Sequence, residues 1–187
     1  MEVSIAEAAK IINSNGVIAY PTEAVFGLGC DPMSDEALEK ILRIKSRDPK
    51  KGLIIIAANI EQVLPFIDVS KVNEKVWSEI NNYWPGPFTF VMPCSNKVST
   101  LLSGNRDTIA VRVSNHPTVK AICLEAKKAI VSTSCNKSGA TPCKQAREVE
   151  EEFGSVLDGI VYELVGDRKL PTEIRDAITG KVLRRGE

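Results

Sequence analysis

Ser132-Thr133-Ser134-Cys135-Asn136-Lys137-Ser138-Gly139 directly follows Ala129-Ile130-Val131, a short apolar β-prone run, and precedes Thr141-Pro142, a helix start. The octet reads as a loop at the end of a buried strand, the place where open α/β sheets bind ligands. Six of its eight side chains are polar, and Gly139 closes it. Hydroxyls, an amide and backbone N–H groups suit phosphate or carboxylate oxygens. A solvated Ser/Asn turn would use the same residues. The stretch by itself leaves both readings open.

Strands and helices alternate on either side of it. Ser4-Ile5-Ala6-Glu7 is a capping box, and it opens an amphipathic helix that ends near Asn13 to Gly16. Val17 to Tyr20 reads as a short buried strand. Ser34, followed by Asp35 and Glu36, starts a second helix with acid at its positive end. Leu53 to Ala58 is a continuous apolar strand. Ser70 is the expected cap of a helix that buries Val72, Val76, Trp77 and Ile80. Trp84-Pro85-Gly86-Pro87 is a rigid loop. Phe88 to Met92 and Ile109 to Val113 are strands, and His116-Pro117-Thr118 begins a helix through Ala126. A helix from Lys144 to Phe153 precedes strands at Gly159 to Leu164, Glu173 to Ile178 and Lys181 to Arg184. This order predicts one three-layer α/β (mixed α+β) domain over residues 1–187. Its sheet is expected to be twisted, mixed parallel and antiparallel, with about seven strands flanked by helices.

The totals narrow the function. Twenty-four Lys+Arg balance 24 Asp+Glu, which gives no global nucleic-acid or membrane signature. No apolar run is long enough to span a membrane, and the Met-Glu-Val-Ser start lacks the pattern of a signal peptide. The cysteines are Cys30, Cys94, Cys123, Cys135 and Cys143, an odd set without a CxxC pair. With His116 as the one histidine, a zinc site is poorly supplied and no metal ligands are assigned. A reduced, cytoplasmic protein follows.

Two further stretches could carry chemistry. In Tyr20-Pro21-Thr22-Glu23-Ala24-Val25-Phe26-Gly27-Leu28-Gly29, Thr22 and Glu23 are polar groups at a strand end. Gly27 and Gly29 permit close backbone approach there. A turn with a satisfied Glu accounts for the same residues. The basic run Lys40, Arg43, Lys45, Arg47, Lys50 and Lys51 contains Asp48 as its only acid. Such a run suits a solvated helix end, and it equally suits phosphate neutralisation in a cleft. Neither glycine stretch matches a P-loop or a dinucleotide fingerprint.

Five segments occur together in order: Pro21 to Gly29, Lys45-x-Arg47, Trp84-Pro85-Gly86-Pro87, Ala110-Val111-Arg112-Val113 and Ser134-x-Asn136. In that order and spacing the chain resembles the YrdC/TsaC family of threonylcarbamoyl-AMP synthases. The resemblance extends through Pro171-Thr172-Glu173-Ile174-Arg175-Asp176, and it corresponds to the short form without an extra C-terminal domain. It implies an ATP-dependent nucleotidyltransferase. L-Threonine and bicarbonate (or CO2) would give N-carboxy-threonine, which attacks the α-phosphate of ATP and releases pyrophosphate. A separate tRNA threonylcarbamoyl transferase complex would use the adenylate to modify the adenosine beside the anticodon. Mg2+ would arrive with ATP.

The resemblance also assigns residues. Lys45 and Arg47 match the Lys-x-Arg motif, and Ser134 and Asn136 the Ser-x-Asn motif. These four would be catalytic and would line the ATP site together with Arg184. Thr22, Arg112 and Thr172 would hold threonine or its carbamate. Lys45 and Arg47 are expected to be exposed to a cleft. Asp48 stands where many relatives have Pro, and an acid beside the phosphate clamp is expected to weaken it slightly. Alternation in an extended segment turns Ser134 and Asn136 one way and Cys135 the other. A Cys135–His116 nucleophile is the weaker alternative, because a small buried thiol explains Cys135 as well.

The rival from another class is a non-catalytic factor that binds double-stranded or ribosomal RNA through a basic concave surface in ribosome maturation. An aromatic content of 5% and a net charge of zero speak against it. A sugar-phosphate lyase would need an acidic metal cluster that the sequence does not clearly offer.

Overall fold

The computed structural model describes residues 1–168 and 171–186. Nine strands form one mixed sheet, in the order β7-β1-β2-β6-β3-β5-β4-β8-β9. They are β1 (Ile18–Pro21), β2 (Phe26–Gly29), β3 (Ile54–Ala57), β4 (Phe88–Pro93), β5 (Thr108–Val113), β6 (Ile130–Ser134), β7 (Gly159–Ile160), β8 (Glu173–Asp176) and β9 (Val182–Arg184). The helices are α1 (Ile5–Asn13), α2 (Asp35–Lys45), α3 (Glu74–Ile80), α4 (Thr100–Ser103), α5 (Pro117–Ala126) and α6 (Ala146–Phe153).

Local chemistry explains most boundaries. Both halves of the Ser4/Glu7 capping box form at α1, and the Ser34 side chain accepts from the Ala37 N–H at the start of α2. Such caps are worth roughly 1 kcal/mol each. The helix expected from Ser70 is corrected. A 3-10 turn occupies Val69–Lys71, and α3 starts after Asn73, whose side chain accepts from the Val76 N–H. The Trp84-Pro85-Gly86-Pro87 loop contains a cis peptide at Trp84-Pro85.

The sheet exceeds the expected seven strands, and the difference begins at β2. Phe26-Gly27-Leu28-Gly29 pairs antiparallel with both β1 and β6. Glycine has poor strand propensity, but here it is required. A Cβ on Gly29 would stand 2.6 Å from Tyr20 Cε1 and 2.8 Å from the Val131 carbonyl oxygen. Ser132 to Ser134, expected in a loop, belong to β6. The strand expected through Leu164 stops at Ile160.

The sheet carries a hydrophobic cluster on each face. On one face α1 and α5 cover Ile18, Tyr20, Ile56 and Ile130. On the other, α2, α3 and α6 pack against Leu28, Ile55, Val111 and Val131. Along the first face helix cover ends quickly. Ile54 pairs with Ser132 on one side and with Ala110 on the other, two residues from the covered pair Ile56 and Ile130. Side chains two apart share a face. Hence Ile54, Ser132, Ala110, Val91 and Ile174 lie on that face, beyond α1 and α5. Burial along β5 records this, since Thr108 and Ala110 are half-buried while Ile109 and Val111 are buried.

Candidate functional site

A cavity of about 190 Å³ opens on this uncovered face. Thr22, Arg47, Arg112, Ser134, Thr172 and Arg184 line it, together with Ser132 and Thr133 of β6. Six of the residues expected at a site, drawn from six separate segments, therefore meet. Lys45 and Asn136 do not line it, and Lys45, expected to be exposed to a cleft, is buried instead.

Lys45 is 2% exposed. It is the last residue of α2, and Ser46 after it takes a left-handed conformation (φ 48°) that reverses the chain. The ammonium points into the protein behind the Ser-x-Asn segment. It donates to the Ser134 carbonyl oxygen, to the Asn136 carbonyl oxygen at 2.7 Å and to Asn136 Oδ1 at 3.1 Å. Three N–H donors meet three acceptors, so this buried charge is satisfied without a carboxylate. Burial, and then the nearby Arg47 guanidinium, push its pKa down to about 8.

Asn136 completes the same scaffold. Its Oδ1 accepts from Ser134 Oγ at 2.6 Å, and its Nδ2 donates to the carbonyls of Lys137 at 3.0 Å and Ala140 at 2.7 Å. The expected alternation holds, with Ser134 and Asn136 on one side and Cys135 fully buried on the other. Burial, with Cys143 close by, holds the Cys135 thiol far above the ordinary range. A thiol so placed is not a nucleophile near neutrality. Cys135→Ala should therefore keep most activity and lose about 1–2 kcal/mol of stability. Melting temperature and steady-state rate, measured together, check this.

Arg47 reaches the cavity from the other side. Its Nε and Nη2 donate to the Gly52 carbonyl at 3.2 and 2.9 Å. Gly52 has φ +62°, and a Cβ there would meet the Ser103 carbonyl oxygen at 3.0 Å, so this turn needs glycine. Asp48 Oδ1 accepts from the Lys50 N–H at 2.9 Å and caps the 3-10 turn Pro49–Lys51, and it does not line the cavity.

At the far end, Arg112 Nη1 donates to Thr172 Oγ1 at 2.7 Å and lies 3.6 Å from Glu23 Oε2. Arg184 Nη2 and Nε donate to the Thr172 carbonyl at 2.7 and 3.1 Å. The Thr22 hydroxyl donates to the Val25 carbonyl at 2.8 Å, across the β1–β2 turn, which leaves its oxygen free to accept. Behind Arg112 stands a buried polar group that the sequence did not assign to the site. Ser114 Oγ donates to Glu23 Oε1 at 2.6 Å and accepts from the His116 N–H at 3.0 Å. Burial pushes the Glu23 carboxyl up, but the Arg112 charge and the Ser114 hydrogen bond outweigh it, so the pKa lies below the usual value. Burial lowers the His116 pKa, against the pull of Glu23. Glu23 Oε2, Arg112 Nε and His116 Nδ1 have no hydrogen-bond partner among the described residues. The sequence signal for this group was Glu23 at the end of a buried strand, next to Thr22.

A profile of the Sua5/YciO/YrdC family, described as telomere recombination, matches residues 10–186. The chain belongs to this family. Relatives within the family carry a more specific name. The threonylcarbamoyl-AMP synthase of Vibrio vulnificus (strain YJ016) is 44% identical over 186 residues, covering all of both chains. That of Aliivibrio fischeri is 48% identical over 180 residues, 96% of this chain and 97% of the other. Among solved structures, P. abyssi Sua5 complexed with L-threonine superposes with a TM-score of 0.90 at 29% identity. The match covers 97% of this chain but only 54% of that Sua5 chain, so the Sua5/YciO/YrdC fold here spans about half of it.

Proposed function

We propose that the chain is a threonylcarbamoyl-AMP synthase. The observation that carries the reading is a single cavity that joins Thr22, Arg112 and Thr172 to Arg47, Ser134 and Arg184, with no carboxylate among its described lining residues. It suits an anionic amino-acid derivative placed beside a nucleotide phosphate. Thr22, Arg112 and Thr172 would hold L-threonine and its carbamate. Arg47, Ser134 and Arg184 would contact ATP. Lys45 and Asn136 would act from behind, by fixing the main chain that carries Ser134.

In this reading the threonine nitrogen attacks CO2, derived from bicarbonate, and loses a proton. A carbamate oxygen then bonds to the α-phosphorus of ATP as the bond to the bridging oxygen breaks and pyrophosphate leaves. No protein nucleophile is needed. The protein contributes position and charge neutralisation. Mg2+ would come as part of the ATP substrate, on phosphate oxygens, because the described lining offers guanidinium and hydroxyl groups. Cytoplasmic location and delivery of the adenylate to a tRNA-modifying transferase belong to the same reading. No described helix is long and apolar enough to cross a membrane.

The test is pyrophosphate release by the purified chain. It should require ATP, L-threonine and bicarbonate together, and ATP alone should turn over very slowly. Equal ATP cleavage without threonine would show the reading to be wrong.

A further inference from the structure

The segment that joins β6 to α6 carries a cysteine at each end, Cys135 and Cys143. Ser134 just before it and Pro142 within it both line the cavity. The main chain brings its two ends together. The Cys143 N–H donates to the Cys135 carbonyl at 2.9 Å. Both residues are also stitched to Phe26 of β2, whose carbonyl accepts from the Cys135 N–H and whose N–H donates to the Cys143 carbonyl, each at 2.8 Å. Between them, Lys137 to Thr141 are exposed.

The two thiols face each other as hydrogen-bond partners, with Cys135 the donor to Cys143. Cys143 Sγ in turn donates toward Glu152 Oε2 at 3.9 Å. A line of proton donors thus runs from Cys135, fully buried, through Cys143, 5% exposed, to Glu152 at the surface. The other three cysteines point to main-chain carbonyls instead, Cys30 to Asp31 at 3.6 Å, Cys94 to Arg106 at 3.6 Å and Cys123 to Ile56 at 3.7 Å. A disulfide needs two main chains close together and side chains turned toward each other. Cys135 and Cys143 share a main-chain hydrogen bond and a thiol contact, so they have both.

We propose that Cys135 and Cys143 form an oxidative modification site, which a hydroperoxide closes to a disulfide that slows the chain. With hydrogen peroxide, the Glu152 carboxylate takes the proton of Cys143 as its sulfur attacks one peroxide oxygen. The O–O bond breaks, the departing hydroxide collects that proton and leaves as water, and Cys143 becomes a sulfenic acid. The Cys135 sulfur then bonds to the Cys143 sulfur, and its proton leaves with the sulfenic hydroxyl as a second water. The two sulfurs give up two electrons, and the peroxide oxygens gain them. A dithiol reductant reopens the bond. A covalent S–S bond is far shorter than a contact between two thiols, so one end of the segment must move. The Lys45 ammonium binds the carbonyls on either side of Cys135, those of Ser134 and Asn136, so the movement reaches Ser134. Burial raises the pKa of both thiols, and the site therefore answers sustained oxidant rather than a brief pulse. The effect on rate rests on the synthase reading, and formation of the bond does not.

The experiment incubates the full chain with hydrogen peroxide, removes the excess with catalase, alkylates the remaining thiols after denaturation and maps the peptides by mass spectrometry without reduction. Cys135 and Cys143 should be recovered joined to each other, with Cys30 and Cys123 alkylated. Threonine-dependent pyrophosphate release should fall at least about tenfold and return with dithiothreitol. Cys135→Ala and Cys143→Ala, made separately, should each turn over at a rate that peroxide leaves unchanged. Recovery of Cys135 and Cys143 as free thiols, or as separate sulfinic acids, would overturn the proposal. So would a disulfide that forms without changing the rate, or a loss of rate that persists in both variants, which would move the sensitive thiol to Cys94. The peptide map does not require turnover. A chain that forms the disulfide but, when reduced, releases no pyrophosphate from ATP with threonine would sink the synthase reading and leave the disulfide standing.

Discussion

Lys45→Met should abolish nearly all threonine-dependent pyrophosphate release and should also lower the melting temperature by several degrees. Were Lys45 an exposed phosphate clamp, the fold would be indifferent to its loss. Instead its ammonium satisfies the Ser134 carbonyl, the Asn136 carbonyl and Asn136 Oδ1 in a buried place. Methionine fills the volume and donates nothing. Each acceptor left without a donor costs about 1–3 kcal/mol. Relief of the buried charge offsets part of this, so a net loss of about 2–3 kcal/mol is expected. The main chain carrying Ser134 would then shift, and a misplacement of even about 1 Å can cost a hundredfold in rate. The pH dependence adds a second mark. With a folded pKa of about 8 against an ordinary 10.5, the folded chain gives up this proton first. The cost of burying the charge is thus fully present below pH 8 and fades as pH rises toward 10.5, so ionisation of Lys45 opposes folding at neutrality. Activity should run the other way, because the third N–H donor disappears with the proton. A Lys45→Met protein with native melting temperature and a collapsed rate would return Lys45 to the cleft, and one native in both would exclude either role.

The same residue shows how far the sequence could be read. Capping at Ser4 and Ser34 and the apolar run at β3 are local chemistry, and the elements they predict are present. The motifs also named residues that meet, because Thr22, Arg47, Arg112, Ser134, Thr172 and Arg184 line one cavity. The inward direction of Lys45 follows from helix phase, since it shares the buried face of α2 with Leu38, Ile41 and Leu42. Asn136 was placed on the correct side of its strand, yet its amide is consumed by Ser134, Lys137 and Ala140. β2 was missed because two of its four residues are glycine, and the need for them lies in Tyr20 and Val131 on the neighbouring strands.

Arg112→Ala should raise the KM for L-threonine by about a hundredfold or more, and it should invert the chain's response to acid. The first effect follows from losing a planar fork that would meet the carboxylate of the substrate, together with the donor that orients Thr172 Oγ1. The second follows from Glu23. In the native chain its pKa is held below 4.5, so it adds stability that is present above that value and is lost as pH falls through the folded pKa. Without Arg112 the main force lowering that pKa disappears and burial dominates, so the folded pKa should rise above 4.5. Stranding a buried carboxylate in this way costs about 3–5 kcal/mol. The sign then reverses, and protonation of Glu23 favours the folded state. Between about pH 7 and pH 5 the native melting temperature should stay nearly level, while that of Arg112→Ala should climb as acid is added. Combining Arg112→Ala with Glu23→Gln removes the stranded charge. The double variant should recover much of the stability and its level pH response but none of the threonine affinity, because the fork is still missing. Arg112→Lys separates charge from shape, since it retains a cation near Glu23 without the bidentate geometry. It should keep the native response to acid and still bind threonine poorly. An Arg112→Ala melting curve that is native-like and level across this range would mean that Glu23 is held by Ser114 and His116 alone, and that Arg112 is not the group that keeps it ionised.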